Sequence, residues 1–191
     1  MRPTARLFRA LTLAGLAWAA WVMLAPPQQV VRPPMRPSPT APGTAPPGAP
    51  LAGPVDRILI AKSARQLTAF RDGRPVKSYR IALGFAPDGD KARQGDGRTP
   101  EGVFRIDRRN DASAYHLSLG IDYPQPQDRA RAAAAGVDPG GDIFIHGQPN
   151  QRPAGEVLPG DWTAGCIAIS DAEIRELFAA TAIGTQVEIR P

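Results

Sequence analysis

Cys166 is the only cysteine of this 191-residue chain and lies in Asp161-Trp162-Thr163-Ala164-Gly165-Cys166-Ile167-Ala168-Ile169, twenty positions after His146, one of two histidines. A free thiol with an ordinary pKa of about 8.5 is mostly protonated at neutral pH, and a neighbouring imidazole that accepts its proton turns it into a nucleophile for carbonyl carbon. The plain alternative is a buried cysteine acting as a small hydrophobe. An export-like N-terminus weighs against that, because structural cysteines in oxidising compartments come in pairs and a lone thiol has no internal partner. A metal site is not expected. One Cys and two distant His are too few for zinc, and the Asp residues show no calcium-loop spacing.

The export reading rests on Arg2, Arg6 and Arg9, followed by the uncharged apolar stretch from Ala10 to Leu24. Its fifteen residues span roughly 22 Å as a helix, short of the roughly 30 Å hydrocarbon core, which favours a signal peptide over a full membrane span. Ala25 is followed by two prolines and has Met23 two positions before it, a poor cleavage site, so residues 1–25 are read as a signal peptide or an uncleaved signal anchor. Residues 26–54 then carry eleven of the 22 prolines and are expected to be a disordered, extended linker of polyproline II character. Charge divides the chain at the same place. Residues 1–54 hold five Arg and no acidic residue, leaving eighteen of the 23 basic residues to face all 18 acidic ones in residues 55–191. The folded part is therefore neutral, and the high overall pI does not indicate a nucleic-acid partner.

The elements that must position the thiol are mostly strands. Arg57–Ala61 and Gln66–Arg71 are β-prone, Asp72-Gly73 is a hairpin signal, and Val76–Leu83 is the expected return strand. Gly102–Asp107, Tyr115–Leu119, Asp142–His146 and Thr185–Arg190 complete the set. Two helices are expected, Asp128–Ala135 and Asp171–Ala180, the second opened by Ser170 and Glu173 spaced as a capping box. Residues 55–191 suit one domain with a single core.

In these residues the chain resembles the L,D-transpeptidase catalytic domain, the YkuD fold. That family's pattern is a His, fourteen to seventeen residues, then Ser or Thr, His, Gly and Cys. Here His146 is followed by sixteen residues and Thr163-Ala164-Gly165-Cys166, with Ala164 in place of the second histidine. Gly95-Asp96-Gly97-Arg98-Thr99-Pro100-Glu101-Gly102-Val103-Phe104 is similar to the stretch leading into a core strand, and Asp142–Gly147 to the strand carrying the base. The resemblance implies a mainly β, sandwich-like domain over residues 55–191 with a few short helices. It also implies a periplasmic or cell-envelope enzyme, exported and held at the inner membrane if the leader is not cleaved. Cys166 would be the nucleophile, His146 the base, the Gly147 carbonyl its orienting group, and the backbone N–H groups of Gly165 and Cys166 the oxyanion hole. No cofactor is implied. The reaction implied is attack on the third, diamino-acid residue of a peptidoglycan tetrapeptide stem, and transfer of the thioester-bound acyl group to an amine.

Many relatives carry Arg or Asn where this chain has Ala168, so a contact to the substrate carboxylate is expected from elsewhere, with Arg98, Arg105 and Arg152 as candidates. Trp162, Thr163 and His116 are further candidates for substrate contact. For His116, which alternates with apolar neighbours, a hydrogen-bonded structural role is the stronger expectation. Three other functions stay open at this level: a hydrolase using water as acceptor, an enzyme releasing an envelope lipoprotein, and a noncatalytic peptidoglycan-binding module. A papain-type protease is disfavoured, since Cys166 precedes the β-prone Ile167-Ala168-Ile169 rather than opening a long helix.

Overall fold

β1 (Val55–Ala61), β2 (Gln66–Arg71) and β3 (Arg74–Arg80) run as an antiparallel meander in the computed structural model, which describes residues 50–191. The leader expected at 1–25 and nearly all of the linker lie outside the described residues. The β2–β3 turn is made by Asp72 and Gly73 at φ 50° and 71°, the paired positive values that a two-residue hairpin of matching twist requires. β3 ends at Arg80, three residues short of the expected Leu83, because the chain there leaves β2 for another partner. Ala82 bridges Ala168 antiparallel and Gly84 bridges Thr163 in parallel.

β4 (Gly102–Ser113) is twice the expected length and joins two sheets. Its first residues, Gly102–Arg105, pair with β8 (Thr181–Arg190), and its second half pairs with β5 (His116–Ile121). The extension holds Arg108, Arg109, Asn110 and Asp111, polar residues with no alternation, so only the partner strand makes it a strand. β6 (Phe144–His146) follows β5, and β7 (Ile167–Ala168) pairs with β6 in parallel. The eight strands stand in the order β3-β2-β1-β8-β4-β5-β6-β7, and the bridges from Ala82 and Gly84 bring the far ends together. The expected mainly β architecture is thus a curled sheet whose two lobes share β4.

α1 (Pro126–Ala134) starts two residues before the expected Asp128, with Pro126 in the first turn, where its missing N–H is no loss. α2 (Asp171–Ala180) occupies the expected range. The Ser170 hydroxyl accepts from the Glu173 N–H, and the Glu173 carboxylate accepts from the Ser170 N–H at 2.9 Å. Alternate residues such as Ile58 and Ile60, Ile106, Leu119 and Ile121, and Val187 and Ile189 form the core, joined by Ile174 and Leu177 from one face of α2. Each such side chain removed from water stabilises the fold by about 1.5–3 kcal/mol. Leu51 also packs against this cluster, and the guanidinium of Arg71 donates to the carbonyls of Ala52 and Pro54. Among the described residues, no helix is long and apolar enough to cross a membrane.

Candidate active site

Strand register brings the chemistry together. His146 stands opposite Ser118 of β5 and Ala168 of β7, and Ser118 stands opposite Asn110 of β4. Residues opposite one another share a face, and the side-chain period along a strand is two, so Cys166, two before Ala168, comes level with Phe144 on that face. Asn110, Ser118, Phe144, His146 and Cys166 accordingly line one cavity of about 430 Å³, closed by Ser113, Tyr115, Asp142, Trp162, Thr163 and Ala164.

His146 is only 4% exposed, and its Nδ1 lies 2.7 Å from the Gly147 carbonyl oxygen. A carbonyl only accepts, so Nδ1 carries the proton and Nε2 is left as an acceptor. Burial pushes the imidazole below its ordinary pKa, against the upward pull of the Gly147 carbonyl. Burial likewise pushes the Cys166 thiol up, and the charge of Asp142 adds to this; the Phe144 N–H, Lys91 and Arg108 favour the thiolate. Burial thus favours the neutral form of both the thiol and the imidazole. The thiol donates to the Asp142 carbonyl at 3.4 Å, so its proton is not yet directed at the histidine. Catalytic contacts of this kind often tighten only when substrate is present.

The loop that carries Cys166 is held by its own hydroxyl. Thr163 Oγ1 donates to the Cys166 carbonyl at 2.8 Å and accepts from the Gly165 N–H at 3.1 Å, while the Thr163 backbone pairs with Leu83 and Phe85. Gly165 sits at φ 139°, and a Cβ there would stand 2.7 Å from the Arg98 carbonyl oxygen. Glycine is required on both counts. The Gly165 N–H is thus already engaged, whereas the Cys166 N–H has no partner among the described residues, leaving Cys166 as the unengaged backbone donor of the expected oxyanion hole. Tyr115, His146 and Trp162 form an aromatic cluster, with centroids 4.6 Å apart for Tyr115 and His146 and 5.8 Å for His146 and Trp162. The Trp162 Nε1–H is buried without an acceptor, a donor whose desolvation is uncompensated until something accepts from it.

Of the residues expected at the site, Cys166, His146, Trp162 and Thr163 line the cavity, with Gly147 and Gly165 supporting them. Arg98 and His116 are not brought to it. The exposed Arg98 side chain donates to the Asp90 carbonyl, and its backbone carbonyl is what meets the nucleophile loop. His116 takes φ 65° at the start of β5 and sets Nε2 2.9 Å from Arg175 Nη1. Arg105 donates to the Gly184 carbonyl and Arg152 lies 3.5 Å from Glu156, so neither lines the cavity. Ala168 is buried and lines a different hollow with Arg65, Arg80 and Asp161. Sequence reasoning missed Tyr115, Ser118, Asn110, Phe144 and Asp142 as cavity residues, and the one usable signal was the alternation Ser118, Gly120 on the strand that ends up beside His146. Among the described residues, no three His, Cys, Asp or Glu side chains converge as a metal site.

A curled β domain with a carbonyl-tethered histidine and a lone cysteine in one cavity has the parts of a cysteine acyl-transfer site. The chain belongs to the L,D-transpeptidase catalytic-domain family, whose YkuD model matches residues 55–189. Among solved structures, the helical cell shape determining protein Pgp2 from Campylobacter jejuni is 26% identical with a TM-score of 0.56, the match covering 71% of this chain and 47% of that one. Its K307A mutant gives 25% identity over 72% and 47%, at the same TM-score. An L,D-transpeptidase from Xylanimonas cellulosilytica is 18% identical with a TM-score of 0.48, covering 74% of this chain and 63% of that one. This chain thus spans about half the length of Pgp2. No curated protein sequence matches it.

Proposed function

We propose that this protein is a peptidoglycan L,D-transpeptidase of the cell envelope, exported by its N-terminal segment and acting in wall crosslinking or remodelling. The observation that carries the reading is the 2.7 Å contact between His146 Nδ1 and the Gly147 carbonyl, which presents Nε2 as a base in the cavity that Cys166 lines. His146 Nε2 takes the thiol proton as Cys166 Sγ bonds to the carbonyl carbon of the third stem residue. The developing oxyanion accepts from the Cys166 N–H. The C–N bond to the terminal D-amino acid then breaks, the imidazolium returns its proton to the leaving amine, and a thioester remains. An amine of a second stem attacks that thioester, its proton passing through His146 to the departing thiolate. Family membership supports the reaction, and the likeness to a protein that determines cell shape supports the wall role.

Intact-mass spectrometry of the protein with a muropeptide tetrapeptide, with Cys166→Ala beside it, tests the proposal. An adduct of one acyl stem on the native protein alone, followed by crosslinked product, is expected. An adduct that yields only tripeptide would replace the transferase reading with a hydrolase. A folded protein giving neither adduct nor product would overturn it.

A further inference from the structure

The strand ladder that delivers His146 to the cavity sets a second polar group beside it. Asn110 of β4, Ser118 of β5, His146 of β6 and Ala168 of β7 stand opposite one another in turn. Directly opposed residues of an antiparallel pair have Cβ atoms about 4.5–5.5 Å apart, so the Ser118 hydroxyl and the His146 imidazole are neighbours on one wall. Both residues are only 4% exposed, and both line the space that Cys166 lines. Other polar side chains there are engaged. Thr163 Oγ1 bonds within its own loop, Ser113 Oγ accepts from the Tyr115 N–H at 3.0 Å, and Asn110 Oδ1 accepts from the Ala112 N–H at 3.0 Å. Ser118 Oγ has no partner among the described residues. It is not sealed in, because the only side-chain N and O atoms of the described residues that are shut off without a partner are Trp162 Nε1 and Thr181 Oγ1. The hydroxyl therefore opens on the cavity as a free acceptor next to the base.

We propose that Ser118 Oγ accepts a hydrogen bond from the reacting nitrogen, the one that leaves or enters at the acyl carbon. The inference rests on the transpeptidase reading for Cys166 as the acyl carrier and His146 as the base. A neutral primary amine brings two N–H groups and one lone pair. When it attacks the thioester, the lone pair faces the carbonyl carbon and one N–H faces His146 Nε2. The second N–H would be stranded in a buried cavity, and Ser118 Oγ removes that penalty. The new C–N bond forms, the C–S bond breaks with its electron pair going to Sγ, and the amine proton passes through His146 to the thiolate. Ser118 neither gains nor loses a proton. Acylation by an amide runs through the same arrangement in reverse: the amide N–H points to Ser118, and the nitrogen lone pair receives the proton from His146. An acyl source whose leaving group is an oxygen has no N–H to place, so its reaction with Cys166 bypasses Ser118.

The test loads Cys166 with p-nitrophenyl acetate, which gives an acetyl thioester and p-nitrophenolate, and follows loss of the adduct by mass spectrometry. Two acceptors are compared: glycinamide, a primary amine, and sarcosinamide, its N-methyl counterpart with one N–H. Ser118→Ala should slow transfer to glycinamide roughly tenfold, the effect of one stranded donor, while loading by the ester and transfer to sarcosinamide stay within about twofold of wild type. Ser118→Thr, which returns a hydroxyl, should recover the glycinamide rate. Equal slowing with both amines, or slower loading by the ester, overturns the proposal, because Ser118 would then act on the shape of the site and not on an N–H. No slowing with glycinamide overturns it as well, and so does loss of the difference between the amines in Tyr115→Phe alone, where the cavity's other unpartnered hydroxyl is removed. Acylation by a tetrapeptide stem is measured beside these. No stem adduct, with the dependence on N–H count intact, keeps Ser118 in its role and sinks the transpeptidase reading. No thioester from either acyl source overturns both.

Discussion

Under the proposed reading, Cys166 and His146 are the reacting pair, and the directions in which burial moves them set what pH should do. Burial raises the thiol and lowers the imidazole, so no thiolate–imidazolium pair is expected in the free protein. Alkylation of Cys166 by iodoacetamide, followed by mass spectrometry, should climb with pH through a midpoint above the ordinary value of about 8.5, with no fast plateau between about pH 5 and 7. Asp142→Asn removes a negative charge that opposes the thiolate, and Asn tolerates the φ of 55° found there, so the midpoint should fall. A rapid, pH-independent reaction near neutrality would show that the pair is ionised. Gly165→Ala is the sharper structural test. It places a methyl 2.7 Å from the Arg98 carbonyl at φ 139°, for a cost of about 2–4 kcal/mol, and should lower Tm by several degrees while abolishing adduct formation. Unchanged Tm would mean that the Arg98 segment yields freely.

Local chemistry explains which elements could be read in advance. The β2–β3 hairpin was legible because Asp72-Gly73 fixes its turn, and α2 because Ser170 and Glu173 cap each other. Removing that cap with Ser170→Ala should cost about 1 kcal/mol, seen as a lower denaturation midpoint, and an unaltered midpoint would mean that Ile174 and Leu177 hold the helix alone. Where stability comes from a neighbour, the sequence is mute. The second half of β4 has no strand alternation and is a strand because β5 pairs with it, and of the first residues of β8, Thr181–Gly184, only Thr181 has a partner, Val55 of β1. The same limit applied to the site. Cys166, His146 and Gly165 carry their chemistry in residue type and spacing, whereas Asp142, Arg108 and Asn110 reach the cavity or its wall only through the register of β4, β5 and β6. Arg98 was a reasonable candidate by charge, yet it is its backbone that meets the site.

At the scale of the molecule, one carboxylate reinforces the backbone bridges that curl β3 onto β7. Asp161 accepts from the Leu83 N–H at 2.9 Å and from Arg65 through both oxygens, which locks the segment after β3 against the loop that leads to Cys166. Asp161→Ala strands the amide and the guanidinium together and should cost about 2–3 kcal/mol in chemical denaturation, with adduct formation slowed. Arg190→Ala, which breaks an exposed pair with Glu188, should cost less than about 1 kcal/mol. Equal losses from the two would deny the seam its special role. A different consequence follows from the place of β8. It is sandwiched between β1 and β4 in the middle of the sheet, and its Thr185 hydroxyl reaches the Val55 carbonyl across 130 positions of chain. A nascent polypeptide therefore lacks its central rung until synthesis has passed residue 190, and closing so long a loop makes assembly slow. The domain remains threadable through a narrow pore for as long as it is being made, and acquires its working shape only afterwards.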